Sequence, residues 1–396
     1  MNKNKFTLSL ITAAILAAPS AFAADTFASG ITEALSESKA KLSFRARYEG
    51  VDQDGIDKDG NALTIKSRFT IETGSYQNFS FGLEVDNVSA LVDDYNSTAN
   101  NKTNYPKVVD PEGTDVNQGY IKYANNGFSA VVGRQRILHN NQRFVGGVGW
   151  RQNEQTYDGI RAQYQAGALS ADYSYIHNIN NVLDKNDSGE FHLANLGYKI
   201  NKNHKISAFA YILDYDALVK YKNSSSTYGA LYNGKFDSVI VNASVASQSD
   251  NGDNSDNYTA TYLNAELGYK VDAVTVLAGY ELLGSDNGVG FKTPLATGHK
   301  FQGFADKFLS TPGEGIEDVY LTVKGAVSGV KLSATYHDFS SDVDGIDYGT
   351  EIDLVAVYEI NTSYGILAKF AAYNDGDTNP AYTDTNKLWV QATAKF

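Results

Sequence analysis

The fold class is most evident from the stretch Leu388-Trp389-Val390-Gln391-Ala392-Thr393-Ala394-Lys395-Phe396. Apolar residues occupy every second position, so Leu388, Val390 and Phe396 share one face of an extended strand, whereas Trp389 and Lys395 share the other. About 9 to 11 residues of this kind cross a bilayer as a tilted β-strand. The stretch therefore predicts a membrane-spanning strand, in a chain whose mean hydropathy of −0.34 is that of a soluble protein.

The opposite end of the chain has the features of a secretory signal. Lys3 and Lys5 precede an apolar stretch at 6–18, and Ala21-Phe22-Ala23 is a small-residue cleavage site. The apolar stretch is too short to span a bilayer as a helix. The division of the chain that we expect is a removed signal at 1–23, a periplasmic N-terminal segment at 24–38 and a transmembrane β-barrel at 39–396.

Composition narrows the class of protein further. The chain has 27 tyrosines and 19 phenylalanines but only 42% hydrophobic residues. This combination is typical of large barrels, in which alternate residues face lipid and aromatic girdles mark both interfaces. There is no cysteine, so the exported chain has no disulfide framework. The net charge of −13 argues against nucleic acid as a partner.

Alternation of apolar and polar residues predicts eighteen strands. They lie near 39–49, 61–73, 79–88, 116–124, 127–136, 155–166, 168–178, 190–200, 204–214, 227–233, 236–247, 259–270, 273–283, 316–326, 328–339, 349–360, 363–374 and 385–396. Short turns alternate with longer polar segments along the chain. An even number of strands with this asymmetry predicts an all-β fold, a single 18-stranded antiparallel barrel with short periplasmic turns and longer extracellular loops. A secreted sandwich or propeller is the alternative.

The arginines are confined to the first half of the chain, where all eight lie between residues 45 and 161. The set is Arg45, Arg47, Arg68, Arg134, Arg136, Arg143, Arg151 and Arg161, and Lys66 lies two residues before Arg68. Positions two apart project from one face of a strand, and the apolar face must point to lipid. We therefore expect these cations to line the lumen. Arg134 and Arg136 share parity with apolar Val132, and a lumenal position is expected for them because charge on the lipid face is costly.

Later strands, across the barrel from the arginines, carry acidic residues whose place in the alternation predicts that they face the lumen, among them Glu351 and Asp353. A basic wall that faces an acidic wall would create a transverse field, as charged side chains do in selective pores. The alternative is that the arginines mainly pair with inward carboxylates such as Glu49, Glu72 and Glu84, and both can hold at once.

The segment from Gly133 to Asp158 is the strongest motif in the chain. It reads Gly133-Arg134-Gln135-Arg136-Ile137, then Asn140-Asn141-Gln142-Arg143-Phe144-Val145-Gly146-Gly147-Val148-Gly149-Trp150-Arg151, a glycine-rich excursion with arginine at each end. Together with Arg45-Ala46-Arg47-Tyr48-Glu49 and Thr64-Ile65-Lys66-Ser67-Arg68, it resembles the bacterial alginate export family of outer-membrane barrels. The resemblance implies an 18-stranded barrel with an arginine-rich pore for an anionic polysaccharide.

The final aromatic residue, Phe396, resembles the C-terminal signature of outer-membrane barrels, which implies recognition by the barrel assembly machinery. Other expected partners are outer-membrane lipid, lipopolysaccharide and a hydrophilic or anionic solute. The histidines form no metalloprotease pattern, there is no nucleophile elbow, and the aspartates of 52–60 lack the glutamate of a calcium loop. We therefore predict no catalytic residue, no metal site, no cofactor and no enzyme activity.

The function predicted from these features is diffusion of hydrophilic, and preferably anionic, solutes through an arginine-lined porin in the outer membrane of a Gram-negative bacterium. Export of an anionic, alginate-like polysaccharide is the second hypothesis. A structural or adhesive surface barrel with a filled lumen is the third.

Overall fold

The chain folds into one closed antiparallel barrel. A computed structural model describes residues 21–217, 220–376 and 382–396. In chain order its strands are β1 (Lys39–Gln53), β2 (Gly60–Glu72), β3 (Phe79–Asp94), β4 (Gly113–Asn125), β5 (Phe128–Gln135), β6 (Thr156–Ala166), β7 (Leu169–Asn180), β8 (Asn186–Asn201), β9 (His204–Tyr215), β10 (Ser225–Phe236), β11 (Val239–Asp250), β12 (Thr259–Val271), β13 (Val274–Leu283), β14 (Ser285–Asp286), β15 (Val289–Gly290), β16 (Ile316–Val327), β17 (Val330–Ser340), β18 (Asp347–Glu359), β19 (Tyr364–Asn374) and β20 (Thr385–Lys395).

Closure comes from β1, which pairs with β2 on one side and with β20 on the other. Each of the other wall strands pairs with the wall strands before and after it in the chain. Strands β14 and β15 form a separate two-stranded ladder that is not part of the wall. In a membrane, closure leaves no unpaired strand edge exposed to lipid. The predicted 18-stranded antiparallel barrel is confirmed.

The largest revision of the predicted strand boundaries is in β3. We expected β3 to end at residue 88, but it continues to Asp94, and Val92 pairs with Leu63 after a register shift. Leu91 is 64% exposed, so the continuation adds apolar side chains to the outer face. The alternation that predicts strands is interrupted by such shifts, which explains the early stop.

The outer surface is an apolar belt, as the alternation requires. On β20, Leu388 and Val390 are 44% and 47% exposed, whereas Trp389 between them is fully buried inside. Pro106, Pro111, Pro294 and Pro312 all lie in connections between wall strands, and Pro380 lies outside the described residues. The ladder therefore keeps its backbone donors.

In the described part of the chain, the α-helix α1 (Ala21–Ser36) precedes the barrel. Residues 1–20 of the predicted signal lie outside the part of the chain that the structure describes. Among the described residues, no helix is long and apolar enough to cross a membrane.

Three of the longer loops fold into the barrel instead of remaining on its rim. We call them the inner loops: residues 95–112, 136–155 and 284–315. Each contains fully or nearly fully buried side chains, for example Val108, Val145 and Phe291. The second and third loops also bond to one another, since the N–H of Gly146 donates to the carbonyl of Leu295 at 2.8 Å. The inner loops narrow the lumen, and the candidate site lies where they meet the wall.

Candidate functional site

Strands β1 and β2 present charged side chains to the interior. Arg47 and Glu49 are each 1% exposed and alternate with outward apolar residues such as Leu42 and Phe44. Lys66 on β2 is opposite Arg45 in the ladder and therefore lies on the same face. The predicted cations of these two strands thus point toward the inner loops.

Arg47 connects the wall to two inner loops. Its guanidinium donates to Asp110 of the first inner loop at 2.7 Å and to the carbonyl of Trp150 in the second. Asp110 also accepts the backbone N–H of Gln152 at 2.7 Å. A single buried ion pair therefore fixes both loops against β1.

Arg151 performs the same role between the second and third inner loops. It donates to Glu49 of β1 at 3.0 Å and to Asp306 of the third loop at 2.8 Å. Asp306 also accepts from His299 at 2.7 Å. Glu49 therefore pairs with an arginine, as expected if the arginines mainly neutralise inward carboxylates. This arginine lies in an inner loop and not on a strand.

A second ionic cluster joins β2, β3 and the second inner loop. Arg68 lies 3.3 Å from Glu84 and 3.0 Å from Glu154, and Arg136 lies 2.9 Å from Glu84 and also contacts Glu154. Lys66 approaches Glu154 to 3.6 Å. Because three cations surround Glu154 of the loop, this cluster closes the second loop onto the wall.

On the other side of the second inner loop, Arg143 and Arg161 each pair with a carboxylate. Arg143 donates to Glu281 of β13 at 2.8 Å and to Gln302 of the third loop at 3.0 Å. Arg161 of β6 forms a contact of 2.5 Å with Asp172 of β7. Among the described residues, seven of the eight arginines have a carboxylate within hydrogen-bonding distance.

Arg134 is not in the lumen, which corrects the sequence-based prediction. It shares the outward face with Val132, which is 53% exposed, because β5 has no register shift. β5 ends at the next residue, and the Arg134 guanidinium lies between the neighbouring strands, donating to Asp158 at 2.8 Å and to the carbonyl of Val116 at 3.0 Å. At the end of a short strand these partners offset the cost of an outward charge.

The predicted acidic residues are found in different environments. Glu72 is exposed, and the contact that it shows is with the hydroxyl of Tyr120 at 3.5 Å. Glu351 and Asp353 are buried and accept backbone N–H groups of the third inner loop, from Ala305 at 2.7 Å and Phe304 at 3.1 Å. Glu351 and Asp353 thus anchor the third inner loop.

Arg45 and Lys369 are among the interior cations that lack a carboxylate within 4.0 Å in the described part of the chain. Arg45 donates to Gln152 at 2.8 Å and to the carbonyl of Gly149 at 2.9 Å. Lys369 donates to His299 at 2.6 Å and lies 4.3 Å from the ring centroid of Trp150. A lysine over an aromatic ring gains about 0.5–2 kcal/mol per contact, which partly offsets the desolvation of Lys369.

Three hydrogen-bond donors beside these cations have no acceptor among the described residues. They are Arg47 Nε and the indole Nε1 atoms of Trp150 and Trp389. The two indole rings lie 5.8 Å apart at 76°, and Arg47 lies 4.7 Å from the ring centroid of Trp150. Buried donors without partners are costly, and these three are not exposed, so they act on a solute only through the positive potential that they add to this corner.

The opposite half of the interior is apolar, which the sequence analysis did not predict. Phe209, Tyr211 and Leu213 of β9 point inward and are at most 5% exposed, and Phe144 of the second inner loop packs on Phe209 at 4.8 Å. The outward side of β9 is apolar as well, for example Ile206. The signal in the sequence is this loss of alternation, since a strand that is apolar on both faces must pack against something inside the barrel.

Burial and charge together fix the ionisation of the loop groups. Burial opposes ionisation of Glu154, yet Arg136, Lys66 and Arg68 hold its pKa below the usual range. Burial likewise opposes ionisation of Asp306, yet the N–H that His299 donates and the nearby cations Lys387 and Arg151 hold its pKa well below the ordinary value. Burial lowers the pKa of His299, so its ring is neutral and can accept from Lys369 while donating to Asp306.

The lumen remains hollow on both sides of the inner loops. Toward the extracellular end there is a cavity of about 440 Å³ lined by Arg151, Lys292 and His299, among others. Toward the periplasmic end there are cavities of about 400 Å³ beside Arg161 and about 390 Å³ beside Lys395. We call these hollow regions the extracellular and periplasmic vestibules, and the inner loops form the constriction between them.

Several residues of this constriction were missed by the sequence analysis. They are Asp110, Glu154, His299, Asp306, Lys369 and Lys387. The first four lie in loops without a periodic pattern, so no rule of alternation could indicate that they are inside. Lys369 and Lys387 have inward parity on β19 and β20, and that parity was a usable signal.

A closed 18-stranded barrel with an apolar belt, ionic inner loops and two vestibules defines a transmembrane barrel of the bacterial outer membrane with the porin-type fold. Residues 38–286 match the family described as Alginate export. The chain belongs to this family, as its arginine motifs suggested.

Solved structures support the same fold. OccK3 (OpdO) of Pseudomonas aeruginosa aligns with a TM-score of 0.70 at 13% identity, over 93% of this chain and 98% of that one. OpdK of the same species, in a structure with vanillate, gives 0.70 at 10% identity over 91% and 99%. OccAB2 of Acinetobacter baumannii gives 0.70 at 15% over 92% and 99%. A search of curated protein sequences finds no significant match.

Proposed function

We propose that this barrel is a porin through which small hydrophilic solutes, preferably anions, diffuse across the outer membrane. The observation that supports it is the corner of the constriction formed by Arg45, Arg47, Lys369, Trp150 and Trp389. Two of its cations have no carboxylate within reach, and three of its donors have no acceptor. The positive potential of this corner beside a narrow passage favours entry of anions.

The test is a reversal potential in a planar bilayer with a salt gradient. We expect single-channel currents with anion preference that weakens at high salt, where charges are screened. Vanillate, an aromatic carboxylate, is a useful first solute because it is small and carries one negative charge. A conducting channel with cation preference would overturn the anion assignment and leave the porin assignment intact.

Export of an anionic polysaccharide is the second candidate, and membership of the alginate export family favours it. A polymer must thread the constriction as an extended chain, so oligomers of uronic acids should interrupt the current for a time that grows with their length. Brief interruptions that do not depend on length would argue for small solutes. Absence of any current in a correctly folded barrel would instead support the structural or adhesive alternative.

The remaining expectations concern partners and chemistry. We expect the lipid face to contact lipopolysaccharide and the segment around Phe396 to be recognised by the barrel assembly machinery. The backbone of Phe396 pairs with Leu42 of β1, so this residue lies at the seam where the barrel closes. We expect no enzymatic turnover, because the polar groups of the lumen are committed to holding loops.

A further inference from the structure

Helix α1 carries an apolar stripe that the barrel does not cover. Phe27, Ile31 and Leu35 are 42%, 37% and 57% exposed, and their spacing of four residues places them on one side of the helix. Thr32 and Ser36 point away from this stripe and donate to carbonyls of the helix itself. The helix is therefore amphipathic, with its apolar side open.

The helix is docked at a defined place on the barrel, the turn between β2 and β3. The N–H of Gly74 donates to the carbonyl of Ala34 at 2.8 Å. A Cβ on Gly30 would lie 2.1 Å from the ring of Tyr76, so glycine is what allows the ring to approach the helix. Phe27 meets the same ring edge-on at 5.8 Å.

This docking place adjoins the lipid-facing surface at the periplasmic end. The turn continues directly into Phe79 and Phe81, which are 52% and 40% exposed on the outer face, and Phe79 packs on Tyr123 at 5.0 Å. Aromatic residues at the end of a transmembrane barrel mark the membrane interface. The stripe of α1 is thus continuous with a surface that already contacts lipid.

We propose that α1 lies along the periplasmic leaflet of the outer membrane, with Phe27, Ile31 and Leu35 inserted among the lipids. An interfacial amphipathic helix buries its apolar side at the boundary between headgroups and acyl chains. The polar side, with Glu33, then faces the periplasm. The helix anchors the turn between β2 and β3 at the membrane surface.

The absence of cysteine allows a direct test by spin labelling. Single cysteines at Ile31→Cys and Leu35→Cys are compared with Glu33→Cys and Ser36→Cys on the polar side, each in the full chain reconstituted into phospholipid vesicles. Phe81→Cys on β3 serves as the lipid-facing reference. Accessibility of the nitroxide to oxygen and to a water-soluble nickel chelate is measured by power saturation.

We expect labels at 31 and 35 to resemble the Phe81 reference, with several-fold more collisions with oxygen than with the chelate, and labels at 33 and 36 to show the reverse. Equal access of all four helix labels to the chelate would overturn the proposal. Protection of 31 and 35 from both reagents would also overturn it, since a protein would then cover the stripe. As a test of docking, Gly30→Val should increase the mobility of the label at 35, and an unchanged spectrum would contradict the observed contact.

Discussion

Arg45 differs from the other interior arginines because no carboxylate neutralises it. Arg47, Arg68 and Arg151 each neutralise a carboxylate, and each joins the wall to an inner loop. Removal of one partner of such a buried pair costs about 3–5 kcal/mol, so these three residues are poor places to test selectivity alone. Arg45 is the better place, since its own partners are neutral amide and carbonyl groups.

Arg45→Gln should shift the reversal potential toward cation preference by removing the uncompensated charge. The shift should be larger at low salt, where screening is weakest. Arg134→Gln is the matched control, because it removes the same charge from the outer face and should leave selectivity near that of the parent. Equal shifts in the two variants would show that selectivity arises from the net charge of the barrel and not from the constriction.

Lys307 of the third inner loop should make selectivity depend on pH. Burial, with help from the nearby Lys387, lowers the pKa of Lys307 to about 8. Lys307 is therefore charged at pH 7 and neutral at pH 9, so anion preference should fall as the pH rises through this window. Reversal potentials measured at both values check this, and Lys307→Met should already show the weaker preference at pH 7 and change little with pH. An equal pH response in the variant would assign the effect to another group.

At the scale of elements, the second and third inner loops behave as one unit. Val145 and Leu295 form a parallel β-bridge, and Gln155 reaches the carbonyl of Leu295 at 3.2 Å. The same two loops share Arg143 and Arg151 as bridges to opposite walls. The constriction therefore has a fixed shape that is set by loop-to-loop contacts as much as by the wall.

A disulfide across this bridge should lock the constriction without closing it. Val145→Cys with Leu295→Cys places two thiols on directly paired backbone positions in a chain with no other cysteine. Oxidation should suppress slow current fluctuations while the mean conductance changes little, and a reductant should restore the fluctuations. A large drop in conductance on oxidation would mean that the two loops separate when the channel conducts.

The strands could be predicted from sequence because a membrane enforces alternation wherever one face meets lipid. Leu388 and Val390 are outside and Trp389 is inside, as their parity indicated. The inner loops could not be predicted, since Asp110 and Asp306 are placed by long-range ionic contacts and not by periodicity. The prediction for Arg134 relied on the cost of placing a charge on the lipid-facing side. At the end of β5 this cost is offset by Asp158 and Val116, and the sequence does not reveal these partners.

At the scale of the whole molecule, the barrel wall is continuous without the inner loops, since every wall strand pairs with two neighbours. Leu283 and Ile316 are paired across β13 and β16, so a short turn can replace the third inner loop without altering the wall. Replacing residues 285–314 by a four-residue turn should raise the single-channel conductance several-fold, because the constriction loses one of its sides. Unheated samples should still migrate faster than heated ones in detergent gels, which checks that the barrel folds. A folded variant with unchanged conductance would show that the third loop does not limit flow.

The two-sided apolar character of β9 has a consequence for biogenesis. Before the barrel forms, residues 204–215 expose Phe209, Tyr211 and Leu213 on one face of the extended chain and Ile206 on the other. The segment has few charges to discourage self-association. In transit through the aqueous periplasm we expect a holdase chaperone to cover this segment. The packing that shapes the pore is thus also a hazard on the way to the membrane, and a charge introduced at Tyr211 would ease delivery while loosening the finished channel.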